Sequence, residues 1–250
     1  MSDGASARWI DLTEGDGPEG WLVLPKEREP RGSVVVAGEF FGVTPHLKAV
    51  CERLAGEGYA VLAPDLYWRG VRRAGFGYDE DGRTEGRRLM TALRPEEVVA
   101  DLRAAQAVAR RYGGEGGSAM LGFSLGGHVA MLGASELRFD LVVSWYGGWL
   151  LDGGIPLAEP VAPVGRAAEI AANTGFVLAF FGADDFVMPL DEWHRVGERL
   201  RDAEVAHEQV TYEGVGHGFF NDERSETYDD KAAADSWQRA LEALTRHVRR

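Results

Sequence analysis

A doubly wound α/β fold, built on a mostly parallel sheet with helices on both faces, is predicted by three features of this sequence. From Ser33 onward, short β-branched or apolar runs alternate with longer amphipathic stretches, the pattern that builds parallel sheets. The pentapeptide Gly122-Phe123-Ser124-Leu125-Gly126 joins one such run to the next helical stretch, as a sharp strand-to-helix turn requires. Nothing in the 250 residues resembles a polar linker, so one core is expected over residues 8–250, preceded by a small, polar, flexible tail at residues 1–7.

Taken in order, Trp9 to Leu12 and Trp21 to Leu24 read as opening strands joined by the turn-rich Thr13–Pro18, which is hairpin chemistry. Ser33 to Ala37 is a strand. Pro45 to Gly56 is a helix with Thr44 as N-cap and proline at its first position. Tyr59 to Ala63 is the next strand, and Pro95 to Arg111 the next helix. After a glycine-rich turn, Ser118 to Leu121 forms the strand that enters the pentapeptide, and a helix begins after Ser124. Leu141 to Trp145 and Val177 to Phe181 are strands, Pro189 to Asp202 a helix, Ala206 to Tyr212 a strand, and about Ser225 to His247 the last helix. Two connections break the rhythm, Leu66 to Leu93 and Gly147 to Gly175. Long connections in a compact domain tend to serve function, so these are expected to wall or cover a site.

Composition narrows the function classes. A net charge of −13 argues against nucleic acid, which needs a basic stripe. No secretory leader and no apolar run long enough to cross a bilayer is expected, so no membrane role is foreseen. The lone Cys51 leaves no internal disulfide, which fits a cytoplasmic protein, and its place among Leu47, Val50 and Leu54 reads as a buried helix stripe. No His or Cys spacing suggests a metal site, and no dinucleotide fingerprint is convincing. A monomer or small homo-oligomer without a cofactor is expected.

In a doubly wound sheet, ligands bind beyond the carboxyl ends of the strands. Glu39, Ser124, Asp184 and His217 all fall just past such ends, and the order Ser, Asp, His is that of α/β-hydrolase triads. A serine hydroxyl needs a base to take its proton during attack. His217 is the candidate, being the one of six histidines in a glycine-flanked loop after a late strand; His46 and His128 could both line a pocket, although a lone helical histidine is more often packed or exposed, and His194, His207 and His247 lie on expected helices or a strand. Asp184 would orient the imidazole, with the adjacent Asp185 as its rival and helix capping or solvation as the alternative for either. The backbone N–H of Leu125 and that of Phe40, after the Ser33–Ala37 strand, are the expected oxyanion donors.

Gly38-Glu39-Phe40-Phe41-Gly42, Ala63-Pro64-Asp65-Leu66-Tyr67, Gly122 to Gly127, Gly182-Ala183-Asp184-Asp185-Phe186-Val187 and Gly216-His217-Gly218-Phe219-Phe220 together resemble the successive signatures of the dienelactone hydrolase family, over roughly residues 20–250. The resemblance implies an α/β-hydrolase fold without a large cap domain, acting on a lactone or ester without a cofactor. It assigns Ser124 as nucleophile, Asp184 and His217 as its partners, Phe40 and Leu125 as oxyanion donors and Glu39 as the acidic residue beside the nucleophile.

Two departures qualify it. The family's typical nucleophile is cysteine, and a serine depends more heavily on its histidine, which leaves Glu39 either a vestige or a substrate contact. The family's best-known members hold a substrate carboxylate with two arginines. Arg83 falls near the first, but Asn221 stands where the second would follow the histidine, and an amide cannot replace a bidentate guanidinium. Dienelactone is therefore not the expected substrate. Tyr67, Trp68, Trp145, Tyr146 and Trp149 gather at strand ends and in the long connections, where they are expected to line an apolar pocket for a larger, less charged substrate. Two other classes are compatible with the same residues: a biosynthetic cyclase, dehydratase or acyl transferase, and a ligand-binding protein with little turnover.

Overall fold

In the computed structural model, which describes residues 6–26, 28–151 and 153–248, the chain opens with β1 (Ser6–Asp11) and β2 (Glu19–Leu24), paired antiparallel with Trp9 opposite Trp21. Ser6 and Ala7 thus belong to a strand and not to a tail; the rest of the expected tail, residues 1–5, lies outside the described residues. There follow β3 (Ser33–Ala37), α1 (Pro45–Gly56), β4 (Ala60–Pro64), α2 (Glu80–Ala92), α3 (Pro95–Gly113), β5 (Ser118–Phe123) and α4 (Leu125–Glu136). The remainder is β6 (Leu141–Trp145), α5 (Ala167–Asn173), β7 (Val177–Gly182), α6 (Leu190–Asp202), β8 (His207–Tyr212) and α7 (Asp230–His247).

These strands form one 8-stranded sheet in the order β1-β2-β4-β3-β5-β6-β7-β8. All pairs from β4 across to β8 are parallel, and β2 joins β4 antiparallel. Because successive side chains in a strand face opposite ways, Val35 and Ala37 pack in one core and Val34 and Val36 in the other. Helices α3, α4 and α6 supply Leu102, Val129 and Trp193 to the first core, while α1 and α7 supply Leu54 and Leu244 to the second. Each fully buried valine or leucine stabilises the fold by about 1.5–3 kcal/mol relative to exposure. That demand explains why the inner strands read as continuous apolar runs.

Cys51 lies in the second core at 0% exposure. Burial pushes its thiol well above the ordinary range, so the nucleophilic thiolate is suppressed. A thiol reagent is therefore expected to leave the folded protein unmodified over a time in which it fully labels protein unfolded in urea. Rapid labelling under native conditions would contradict this placement.

The two long connections hold helices that periodicity alone hides. In α2, capped by the Asp79 carboxylate accepting from Gly82 N at 2.9 Å, the buried positions are Gly82, Gly86, Leu89 and Met90, so half of the inner face carries no apolar side chain. The reason is close approach: a Cβ at Gly86 would stand 2.5 Å from the Phe40 carbonyl oxygen. The second connection contains α5 and two short 3₁₀ turns, Pro156–Ala158 and Pro163–Arg166. The last helix begins at Asp230, later than its composition suggests. Segment 218–229 first coils back on itself, with Asp229 N donating to Phe219 O and Tyr228 N to Arg224 O, and Asp229 then caps the helix. No helix among the described residues is long and apolar enough to cross a membrane.

Candidate active site

Parallel pairing brings the carboxyl ends of β3, β5, β6, β7 and β8 to one edge of the sheet, with Ala37 opposite Gly122, Phe123 opposite Trp145 and Gly182 opposite Tyr212. Ser124 leaves β5 with φ 53° and ψ −114°, a left-handed conformation that costs a non-glycine residue of order 1–3 kcal/mol and concentrates at functional sites. The turn is tight enough that a Cβ on Gly126 would fall 2.0 Å from the Ala37 carbonyl oxygen. Only glycine lets α4 start this close to β3.

Strain at Ser124 is matched by a hydrogen-bonded relay. Ser124 Oγ lies 2.8 Å from His217 Nε2, and His217 Nδ1 lies 2.7 Å from Asp185 Oδ2. The carboxylate accepts a hydrogen bond from Nδ1–H, which leaves Nε2 as the acceptor for the serine O–H. All three residues are buried, at 5%, 7% and 7% exposure.

The carboxylate that meets His217 is that of Asp185, not of the expected Asp184. Asp184 N still donates across to Val215 O, and the Asp184 side chain stands on the exposed side of the chain. The chain turns here, with Asp185 N donating to Gly182 O at 3.0 Å, and the turn leaves the Asp185 carboxylate as the inward one. Its remaining oxygen, Oδ1, accepts from Val187 N at 2.7 Å and Met188 N at 3.4 Å, an Asx turn that fixes its direction.

Leu125 opens α4, so its N–H has no acceptor within its own helix and lies at the positive end of the dipole. Phe40 follows β3, and its carbonyl accepts from the Tyr67 O–H at 2.9 Å. That bond sets the orientation of the loop that carries the Phe40 amide. Tyr67, Glu39, Leu125 and Gly38 also line a cavity of ≈ 20 Å³ behind the site, with room for about one water. Larger concavities, of ≈ 620 and ≈ 320 Å³, lie away from the serine between the first turn of α3 and residues 154–166.

Glu39, only 8% exposed, is held from three sides. It accepts from Asn221 Nδ2 at 3.2 Å and from the Tyr146 O–H at 3.4 Å, and a guanidinium nitrogen of Arg224 lies 3.6 Å away. A buried carboxylate persists when paired and hydrogen-bonded in this way. Burial, and after it the Glu39 charge, push the Tyr146 phenol well above its ordinary value, so it stays a neutral donor. The Tyr146 ring meets His217 edge-on at 5.1 Å.

Arg224 was not among the residues expected here. It is 8% exposed, packs over the Phe41 and Tyr78 rings, and also approaches Glu226 at 3.5 Å. Arg83 reaches the same Glu226 oxygen at 3.3 Å and donates from Nε to Tyr78 O. Both arginines are thus engaged by carboxylates of the chain itself.

Two of the expected pocket aromatics lie elsewhere. The Trp68 indole N–H donates to Asp101 on α3 at 3.1 Å, beside an Arg69–Asp101 pair, and its ring is flanked by Arg69 and Arg72. Trp145 is fully buried beneath the site, stacked on Phe123 at 4.6 Å. Its strand position explains this, because Val143, two residues back on the same face, belongs to the same core. Trp149 is half-buried against the other core. His128, buried after the elbow, donates from Nδ1 to Gly148 O at 3.0 Å, and burial lowers its pKa, as suits a neutral structural residue that fastens the loop after β6. His46 packs on Phe123 and Phe220 with Nδ1 2.9 Å from Asp222. Among the described residues no group of three His, Cys, Asp or Glu is placed to hold a metal ion.

Comparison with known proteins is consistent in fold and in sequence. The profile described as "Dienelactone hydrolase family" matches residues 19–248. A Synechocystis protein named "Putative carboxymethylenebutenolidase" is 34% identical over 224 residues, covering 88% of each chain. A Rhodococcus opacus carboxymethylenebutenolidase is 29% identical over 238 residues, covering 94% of this chain and 89% of the relative. Among solved structures, one from Klebsiella pneumoniae titled "Putative Dienelactone Hydrolase" superposes with a TM-score of 0.83 at 31% identity, covering 97% of this chain and 99% of the other.

Proposed function

The chain belongs to the dienelactone hydrolase family and is a hydrolase, and from that premise we propose that it cleaves a lactone or ester through an acyl-Ser124 intermediate. The observation that carries this reading is the continuous relay from Ser124 Oγ through His217 to Asp185, at 2.8 and 2.7 Å. As Ser124 attacks the carbonyl carbon, His217 Nε2 takes its proton, and Asp185 stabilises the imidazolium. The Leu125 and Phe40 amides stabilise the oxyanion. Collapse of the tetrahedral intermediate breaks the bond to the leaving oxygen, which receives the proton from Nε2. Water, activated by the same nitrogen, then releases the acid and regenerates the serine.

A neutral substrate suits the site better than an anionic one. Arg83 and Arg224 are both paired with Glu226, and Arg224 also with Glu39, so a substrate carboxylate would have to displace a carboxylate already present. Glu39 adds a further buried carboxylate, which lines one cavity together with Leu125, the residue after the serine. The partners of Glu39, Tyr146 and Asn221, come from the residue after β6 and from segment 218–229, so its role is to tie these loops together around His217.

An activated phosphonate ester is expected to add once per chain, with the added mass on the peptide containing Ser124, and the adduct should be absent from His217→Ala. Stoichiometric label on any other residue would sink the proposal.

A further inference from the structure

Phe186 is 78% exposed, beside a site in which every polar participant is buried. Its position is set by the backbone. The Asx turn in which Asp185 accepts from the amides of Val187 and Met188 encloses Phe186, between Asp185 and Val187, and holds its side chain outward. Its ring meets the His217 imidazole in a T-shaped contact, centroids 5.5 Å apart at 62°, and most of its surface faces solvent. A phenyl group left in water forgoes the stabilisation that burial brings, and here it stands against the group that performs the proton transfers.

Chemistry fixes which part of a substrate this ring would meet. On the Ser124–His217 reading above, the imidazolium must deliver its proton to the departing oxygen, so that oxygen comes within hydrogen-bond reach of Nε2. The group attached to it then lies beside the imidazole, the ring that Phe186 meets. We propose that Phe186 is a specificity-determining residue that binds the alcohol portion of the ester and selects for aromatic leaving groups, through ring-on-ring contact and shared exclusion of water.

The test compares benzyl acetate with ethyl acetate, whose alcohols are of similar acidity, so that the ratio of kcat/KM reads contact and not leaving-group electronics. The unaltered protein is expected to favour the benzyl ester by about 10-fold or more, the scale of one apolar contact in a pocket. In Phe186→Ala the ratio should fall toward one, most of the loss coming as a higher KM for the benzyl ester, while Phe186→Trp should keep the preference. The pH at half-maximal kcat/KM should not move in either variant. An equal fall for both esters, or a shifted pH profile, would mean that Phe186 only positions His217 and would overturn the proposal. So would an unchanged ratio. Hydrolysis of either ester that survives Ser124→Ala would instead count against the triad itself, which keeps the two failures apart.

Discussion

Replacing Ser124 by Ala is expected to lower kcat/KM for any ester the protein turns over by about 10⁴- to 10⁶-fold, the range seen when a nucleophile is removed from a triad that works as a unit. The loss should appear in kcat, because the hydroxyl forms its covalent bond only on the way to the tetrahedral intermediate. Folding is not at risk. Alanine occupies no more space than serine, and the φ of 53° is imposed by the turn whichever of the two stands there. An Ala variant with an unchanged melting temperature and abolished turnover is thus the expected pair of results. Turnover within about 10-fold of the unaltered protein, a difference of only about 1.4 kcal/mol in barrier, would show that Ser124 is not the nucleophile.

Between the two adjacent aspartates the expected effects diverge by a comparable margin. Asp185→Asn should reduce kcat by about 10⁴-fold, since an amide at that position can donate to Nδ1 and so favour the tautomer whose Nε2 carries a proton and cannot accept one from serine. Asp184→Asn should change kcat/KM by about 2-fold at most, as for other exposed substitutions. Steady-state kinetics on the two variants, with folding checked by thermal melts, settles the assignment. A large loss in Asp184→Asn with a mild effect in Asp185→Asn would require the turn at residues 182–185 to be rebuilt.

The difference between those aspartates marks where sequence reasoning runs out. Strands β3, β5, β6 and β7 were legible because burial on both faces leaves uninterrupted apolar runs, and α1 because Thr44 and Pro45 announce its start. Helix α2 was not, because it meets Phe40 through Gly86 and a glycine face carries no hydrophobic period. Arg224 was hidden for a related reason. Residues 225–229 read as the first turn of the last helix, whereas hydrogen bonds to Phe219 and Arg224 curl them and turn the guanidinium toward Glu39. Trp145 was misplaced although strand parity with Val143 was available to correct it. Trp68 had no such signal, since its partner Asp101 lies 33 positions along the chain.

What the sequence alone determined is the order of the strands and of the helices outside the two long connections, the sharp turn at Ser124, and the positions of Ser124, the paired Asp184 and Asp185, and His217 past strand ends, because these follow from local periodicity and from glycine's steric freedom. Tertiary structure decided that Asp185 faces His217, that Arg224 pairs with Glu39, that Arg83 pairs with Glu226, and that Phe186 stands exposed beside the imidazole. Those outcomes depend on which way a side chain leaves a turn and on what lies across the sheet edge to receive it. In the turn after β7 two adjacent carboxylates leave the backbone in different directions, and the receiving groups come from loops separated by as many as 182 positions in the chain.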